Sequence, residues 1–157
     1  MKPYTLVVID MQDGFNPDNY AISKIKKHII KAKIDNMPIM FVEYHDYQEE
    51  DDYGSTIYEL VKLTAKYKKT YYVSKYDDNG SFEIKSAVEK YKLNKNLNIC
   101  EINTDACVMR TVMGLSNNNK YLKINVFSDA CHSEYGHYGH NSAIEYMKTL
   151  KNVKVIM

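Results

Sequence analysis

The sequence predicts a three-layer α/β fold: a central parallel sheet of about six strands with helices on both faces. Three observations lead there. Short apolar, β-branched runs alternate along the whole chain with longer segments of helical periodicity, the signature of repeated strand–helix–strand units. Several of these runs are apolar at consecutive positions, as strands buried on both faces are. No repeat or linker interrupts the pattern. At 157 residues one domain over residues 1–157 is expected, because two half-sized cores would each bury too little surface. The arrangement is Rossmann-like, with right-handed connections.

Each element has its own reason. Residues 5–9, Thr-Leu-Val-Val-Ile, form the first strand. Residues 22–36 place Ile22, Ile25, Ile29, Ile30 and Ala32 at helical spacing between lysines. Pro38 opens the second strand, 39–44, and a weaker helix follows over 56–65. Residues 70–73 form a third strand, followed by a polar turn over 76–80. A helix over 82–91 leads to the fourth strand, 97–102. A helix over 105–117 carries Val108, Val112 and Leu115 on one face. A strand at 122–127, a helix at 139–150 and a strand at 153–156 complete the chain.

Composition narrows the function. The chain is 45% hydrophobic and 26% charged, ordinary globular values that argue against disorder. A net charge of +1 gives no reason to expect nucleic acid or a membrane surface as partner. Arg110 is the sole arginine, and a phosphate-gripping protein would use more of that planar fork. The first apolar run stops at Asp10, too short for a signal peptide core or a membrane span. Three widely spaced cysteines are not a disulfide framework. A reducing, cytoplasmic setting is expected.

In a parallel sheet, ligands bind beyond the carboxyl ends of the strands. There the first, third and fourth strands carry Asp10, Lys75 and the segment reaching Cys107. Taken singly, Asp10 reads as a cap, Lys75 as surface and Cys107 as a small buried apolar group. Together they supply the parts for attack on a carbonyl carbon. A thiol at a helix amino end with a lysine nearby is stabilised as thiolate, and a carboxylate can carry its proton.

These residues sit in recognisable motifs. Val7-Val8-Ile9-Asp10-Met11-Gln12-Asp13-Gly14-Phe15 resembles the opening motif of the isochorismatase-like cysteine hydrolases, a group that includes the nicotinamidases. Lys75 with Gly80-Ser81-Phe82 is similar to the family's lysine loop. The run from Ile102 to Thr111 is similar to its nucleophile motif, and Ser128-Asp129-Ala130-Cys131 with residues 140–147 to the loop and final helix that follow. The resemblance spans residues 5–156.

It implies a cysteine hydrolase that cleaves an amide or related C–N bond of a small molecule through a thioester on Cys107. Asp10 would be general base and acid, and Lys75 would lower the thiol pKa. The backbone N–H groups of Asn103 and Cys107 would form the oxyanion hole, aimed by a cis peptide between Ile102 and Asn103 that costs about 3 kcal/mol. Phe15, Tyr76 and Thr104 would contact substrate. No cofactor and no metal are expected, and a homo-oligomer, dimer or tetramer, is.

Departures from the family pattern stand out. Glu101 occupies a position usually held by glycine. The second strand lacks the Asp-x-His pattern that binds metal in nicotinamidases, with Tyr44 at the Asp position, and His45 beside Asp46 is not a ligand set. His132, His137 and His140 cluster in a segment the family uses for other ends, and the chain is short for the family. These features keep two alternatives open: an inactive small-molecule-binding or sequestering protein of the same fold, and an isochorismatase-type hydrolase. Cys107 argues against the second, because the isochorismatases themselves generally do without it. A redox or thiol-transfer protein using Cys107 with Cys131 or Cys100 is the weakest reading, since no Cys-x-x-Cys is present.

Overall fold

In the computed structural model, residues 2–46, 53–118, 121–133 and 136–157 are described. Six strands, β1 (Thr5–Ile9), β2 (Ile39–Tyr44), β3 (Thr70–Lys75), β4 (Asn96–Ile102), β5 (Lys123–His132) and β6 (Val153–Ile156), form one sheet. All pairs are parallel, and the order is β3-β2-β1-β4-β5-β6. The helices are α1 (Asn19–Ile34), α2 (Tyr58–Thr64), α3 (Ser81–Lys90), α4 (Met109–Asn118) and α5 (Gly136–Lys148). The predicted architecture is present.

The two faces of the sheet have separate apolar layers. Leu6, Val8, Ile39, Phe41, Cys100 and Ile102 pack with α1 and α2. Val7, Ile9, Met40, Val42, Ile99 and Val126 pack with α3, α4 and α5. β1 is buried at every position, which is why its sequence does not alternate. Ala21, Ile25, Ile29 and Ala32 of α1 are fully covered, each isoleucine contributing about 1.5–3 kcal/mol by burial.

Three boundaries differ from expectation for identifiable reasons. α1 starts at Asn19 because the Asp18 carboxylate accepts from Ala21 N–H at 2.6 Å, a side-chain cap. β3 runs on to Lys75. β5 continues through the segment read as a loop after residue 127. A register shift between Ile99 and Glu101 lets β4 keep pairing with it, Glu101 opposite Cys131 and Ile102 opposite His132.

The chain winds outward from β1 in one direction to β3, then returns to place β4 on the other side of β1. That reversal opens a crevice between the ends of β1 and β4. Among the described residues no helix is long and apolar enough to cross a membrane.

Candidate active site

Asp10 is the first residue beyond β1. Its N–H donates to Val42 O at 2.9 Å, and its φ is +54°, in the left-handed region. Ile9 faces α3 and α4, so a regular strand would send residue 10 to the opposite face. The left-handed turn breaks that alternation, a conformation that Asp tolerates better than most residues.

Lys75 lies two strands away, about 9.6 Å by strand spacing, and its long side chain bridges the gap. Its ammonium is 2.8 Å from Asp10 Oδ2, and neither side chain is exposed to solvent. On the way it passes 5.2 Å from the Tyr44 ring centroid and donates to Asp77 O at 3.1 Å. Gly80 leaves room for its stem, since a Cβ there would fall 2.9 Å from Lys75 Cδ. Lys75, expected at the surface on its own evidence, is thus a core residue.

Cys107 sits in a single π-helical turn, Thr104–Val108, ahead of α4 rather than at the amino end of the α-helix itself. Asn103 O accepts from both Ala106 N at 3.0 Å and Val108 N at 3.3 Å, and the second bond makes the turn wide. Such turns recur at functional sites. The expected cis peptide is absent: the bond between Ile102 and Asn103 is trans. Asn103 itself takes φ +64° and ψ +60°, so the chain bends at a left-handed residue instead.

The thiol is buried and lies 3.7 Å from Asp78 Oδ1. Donor atoms of Asp10, Glu101 and Cys107 all fall within 4.8 Å of one another, the one such trio among the described residues. Lys75 already supplies the positive charge that this group faces. Glu101 is wholly buried, and neither of its carboxyl oxygens has a hydrogen-bond partner.

The electrostatics follow from burial. Desolvation raises the Asp10 carboxyl above the ordinary carboxylate range, with Lys75 pulling it back. Burial pulls Lys75 down, but Asp10, Cys107 and Glu101 outweigh it, and the ammonium is held more firmly than usual. Burial pushes the Cys107 thiol up, and Glu101 and Asp10 push it further than Lys75 can recover. This corrects the expectation of an acidic thiol: the sequence shows the lysine and Asp10 near the thiol but neither its burial nor Glu101 beside it. Glu101 is raised well above its ordinary value by burial and by Asp10.

Of the residues expected at the substrate, Phe15 forms an aromatic wall with Tyr53 and Tyr44. It stacks on Tyr53 with ring centroids 4.6 Å apart and meets the edge of Tyr44 at 6.1 Å. Gln12 organises this wall, donating to Tyr44 O and Gly54 O and accepting from Tyr44 N. Tyr76 is near His45 instead, 6.1 Å between centroids. Thr104 is fully buried, its hydroxyl 3.0 Å from His140 Nδ1, which makes it a brace under the turn.

His45 lies 4.0 Å from Glu43, and His132 pairs with Asp18 at 3.1 Å. His132, His137 and His140 line a cavity of about 610 Å³ whose walls include none of Asp10, Lys75 and Cys107.

Sequence reasoning missed Asp78, Tyr44 and Tyr53. Asp78 accepts from Arg110 Nη1 at 2.6 Å, and its carbonyl accepts from the Thr111 hydroxyl at 3.3 Å, so the lysine loop is pinned to α4. The only signal was that the loop after Lys75 is acidic.

Comparison with solved structures places this fold among known enzymes. A nicotinamidase from Staphylococcus aureus superposes with a TM-score of 0.79 at 19% identity, covering 99% of this chain and 100% of its own. An N-carbamoylsarcosine amidase from Thermoplasma acidophilum gives 0.78 at 16%, covering 98% and 95%. The YcaC gene product of Escherichia coli, an octameric hydrolase of unknown specificity, gives 0.80 at 16%, covering 99% and 75%. These likenesses are of fold. No curated protein matches the sequence. The family model of the isochorismatase domain matches residues 4–157, and with that match across the sheet and the Asp10–Lys75–Cys107 crevice, the chain belongs to the isochorismatase-domain family.

Proposed function

We propose that this protein is a cysteine hydrolase that cleaves an amide or related C–N bond of a small molecule through a thioester on Cys107. The observation that carries it is the fully buried Asp10–Lys75 pair at 2.8 Å with the Cys107 thiol beside it at the sheet's switch point. A buried ion pair is weak evidence of stabilisation, but one placed against a thiol is suited to moving its proton.

The resting site holds a neutral thiol and a carboxylate. As sulfur attacks the carbonyl carbon, Asp10 takes the thiol proton, so no free thiolate has to exist beforehand. The negative charge that develops on the carbonyl oxygen falls to backbone N–H groups of the turn, that of Cys107 first; the trans bond before Asn103 leaves its N–H without the cis peptide that was expected to aim it. Asp10 then protonates the leaving nitrogen, the C–N bond breaks, and the acyl group stays on sulfur. Water reverses the sequence: Asp10 takes its proton, the C–S bond breaks, and the proton returns to sulfur. Lys75 keeps Asp10 ionised at rest, ready to accept the proton, and fixed in place throughout.

The aromatic wall of Phe15, Tyr44 and Tyr53 suits a flat, partly apolar substrate group. The nicotinamidase and amidase neighbours support an amide substrate, and the octameric neighbour supports a homo-oligomer.

The test is ammonia release from a panel of small primary amides and N-carbamoyl compounds, with nicotinamide included. Turnover by the wild type, an acyl adduct on Cys107 in its intact mass, and loss of both in Cys107→Ala are expected. Equal binding of a panel compound by both proteins, without turnover or adduct, would establish a non-catalytic binding protein instead.

A further inference from the structure

Glu101 has no part in the steps above, yet it is the most conspicuous side chain at the site. It is the next-to-last residue of β4. It is fully buried, both oxygens lack a hydrogen-bond partner, and it reaches within 4.8 Å of both Asp10 and Cys107. Buried carboxyls are ordinarily paired, so an unpaired one aimed at a thiol calls for a chemical reason.

Charge counting supplies it. Lys75 is the one cation buried among these groups, and it is 2.8 Å from Asp10. Cys131 faces Glu101 from β5, and Ile9 pairs with it from β1. Tyr44 of β2 lies over Lys75. Asp78 approaches the sulfur from the lysine loop, but Arg110 of α4 neutralises it. With Asp10 and Glu101 both ionised, the buried group would carry an uncompensated negative charge. With one proton between them it is neutral.

We propose that Glu101 is a positioning residue that holds the site's one spare proton as a neutral acid and so keeps Asp10 anionic and paired to Lys75 at the moment of attack. The inference rests on the hydrolase function proposed above. Its proton is never consumed. The proton that moves from sulfur to Asp10 and on to the leaving nitrogen is the thiol's own, and water restores it. Raising the pH strips Glu101, places a second negative charge beside the sulfur and competes for Lys75, so the site loses reactivity on the alkaline side. An amide at position 101 cannot ionise and escapes that loss.

The experiment compares wild type with Glu101→Gln in two measurements that need no turnover. Infrared difference spectra at neutral pH should show a protonated carboxyl band in the wild type that Glu101→Gln lacks. Iodoacetamide labelling of Cys107 between pH 7 and 10 should run about tenfold faster in Glu101→Gln at the alkaline end, the effect of one pKa unit. In kinetics, kcat should hold at higher pH in the variant while KM stays unchanged. Superimposable labelling profiles, or no carboxyl band assigned to Glu101, would overturn the proposal. Should Glu101→Gln fail to fold, Glu101→Ala serves for both measurements with the same expected signs. Band and labelling shift without amide turnover would refute the hydrolase function and leave the proton on Glu101 standing. Turnover without either would refute the proton on Glu101 alone.

Discussion

Replacing Lys75 with methionine isolates the ion pair on which the site is built. The two charges sit 2.8 Å apart with neither side chain exposed. At an effective dielectric of about 20 they attract by about 6 kcal/mol. Part of that is offset by the desolvation of both ions, and removing one partner of a buried pair costs about 3–5 kcal/mol. Methionine keeps most of the stem's packing on Gly80, so the loss reports on charge. Without Lys75, Asp10 escapes the penalty by holding a proton, which lifts its folded pKa above the unfolded value of about 3.9.

A group whose folded pKa is raised contributes stability that is complete at acid pH and lost as pH climbs through the folded pKa. The deficit of Lys75→Met should therefore be small below about pH 4, the unfolded value, and reach its full size by about pH 8. With a urea slope of about 2 kcal/mol per molar, the midpoint at pH 8 should fall by about 2 M. The double variant Asp10→Asn with Lys75→Met should regain most of this, because no buried charge is left alone. Urea unfolding at four pH values measures it. A deficit independent of pH, or one below about 1 kcal/mol as exposed pairs give, would refute the picture of a dry, mutually dependent pair.

Two further substitutions probe the supports of the site. Gly14→Ala would set a Cβ 2.6 Å from Tyr53 Cα, so thermal unfolding should show a loss of about 1–3 kcal/mol, with KM raised as the Phe15–Tyr53 stack shifts. Thr111→Val removes the buried acceptor for Gly80 N–H at 3.0 Å and the bond to Asp78 O, which should cost about 1–3 kcal/mol and lower kcat severalfold by loosening the loop behind Lys75.

The alternation of strands and helices was legible because hydrophobic periodicity is a local property. β1 reads as buried on both faces from five consecutive residues, and β2 was read at its observed bounds. Asp10, Lys75 and Cys107 could be placed at strand ends for the same reason, and the family motifs named them as a set. Where neighbours in space override neighbours in sequence, the expectation stopped short. β5 extends to His132 only because β4 continues beside it past a register shift.

The amino-acid sequence by itself determined the α/β class, the positions of Asp10, Lys75 and Cys107 along it and the presence of Glu101. Tertiary structure decided what those residues are chemically. Lys75 became a core cation because the sheet order puts β3 two strands from β1, within reach of one lysine side chain. Cys107 became a reluctant thiol because the fold buries it, and because Glu101, six positions earlier, and Asp10 fold against it. The bend before the Cys107 turn came from a left-handed Asn103 and not from a cis bond. Proton affinity is a sum over charges and lost solvent within a few ångströms. The strand order brings those charges together from segments up to nearly a hundred residues apart, and no local pattern in the chain encodes that sum.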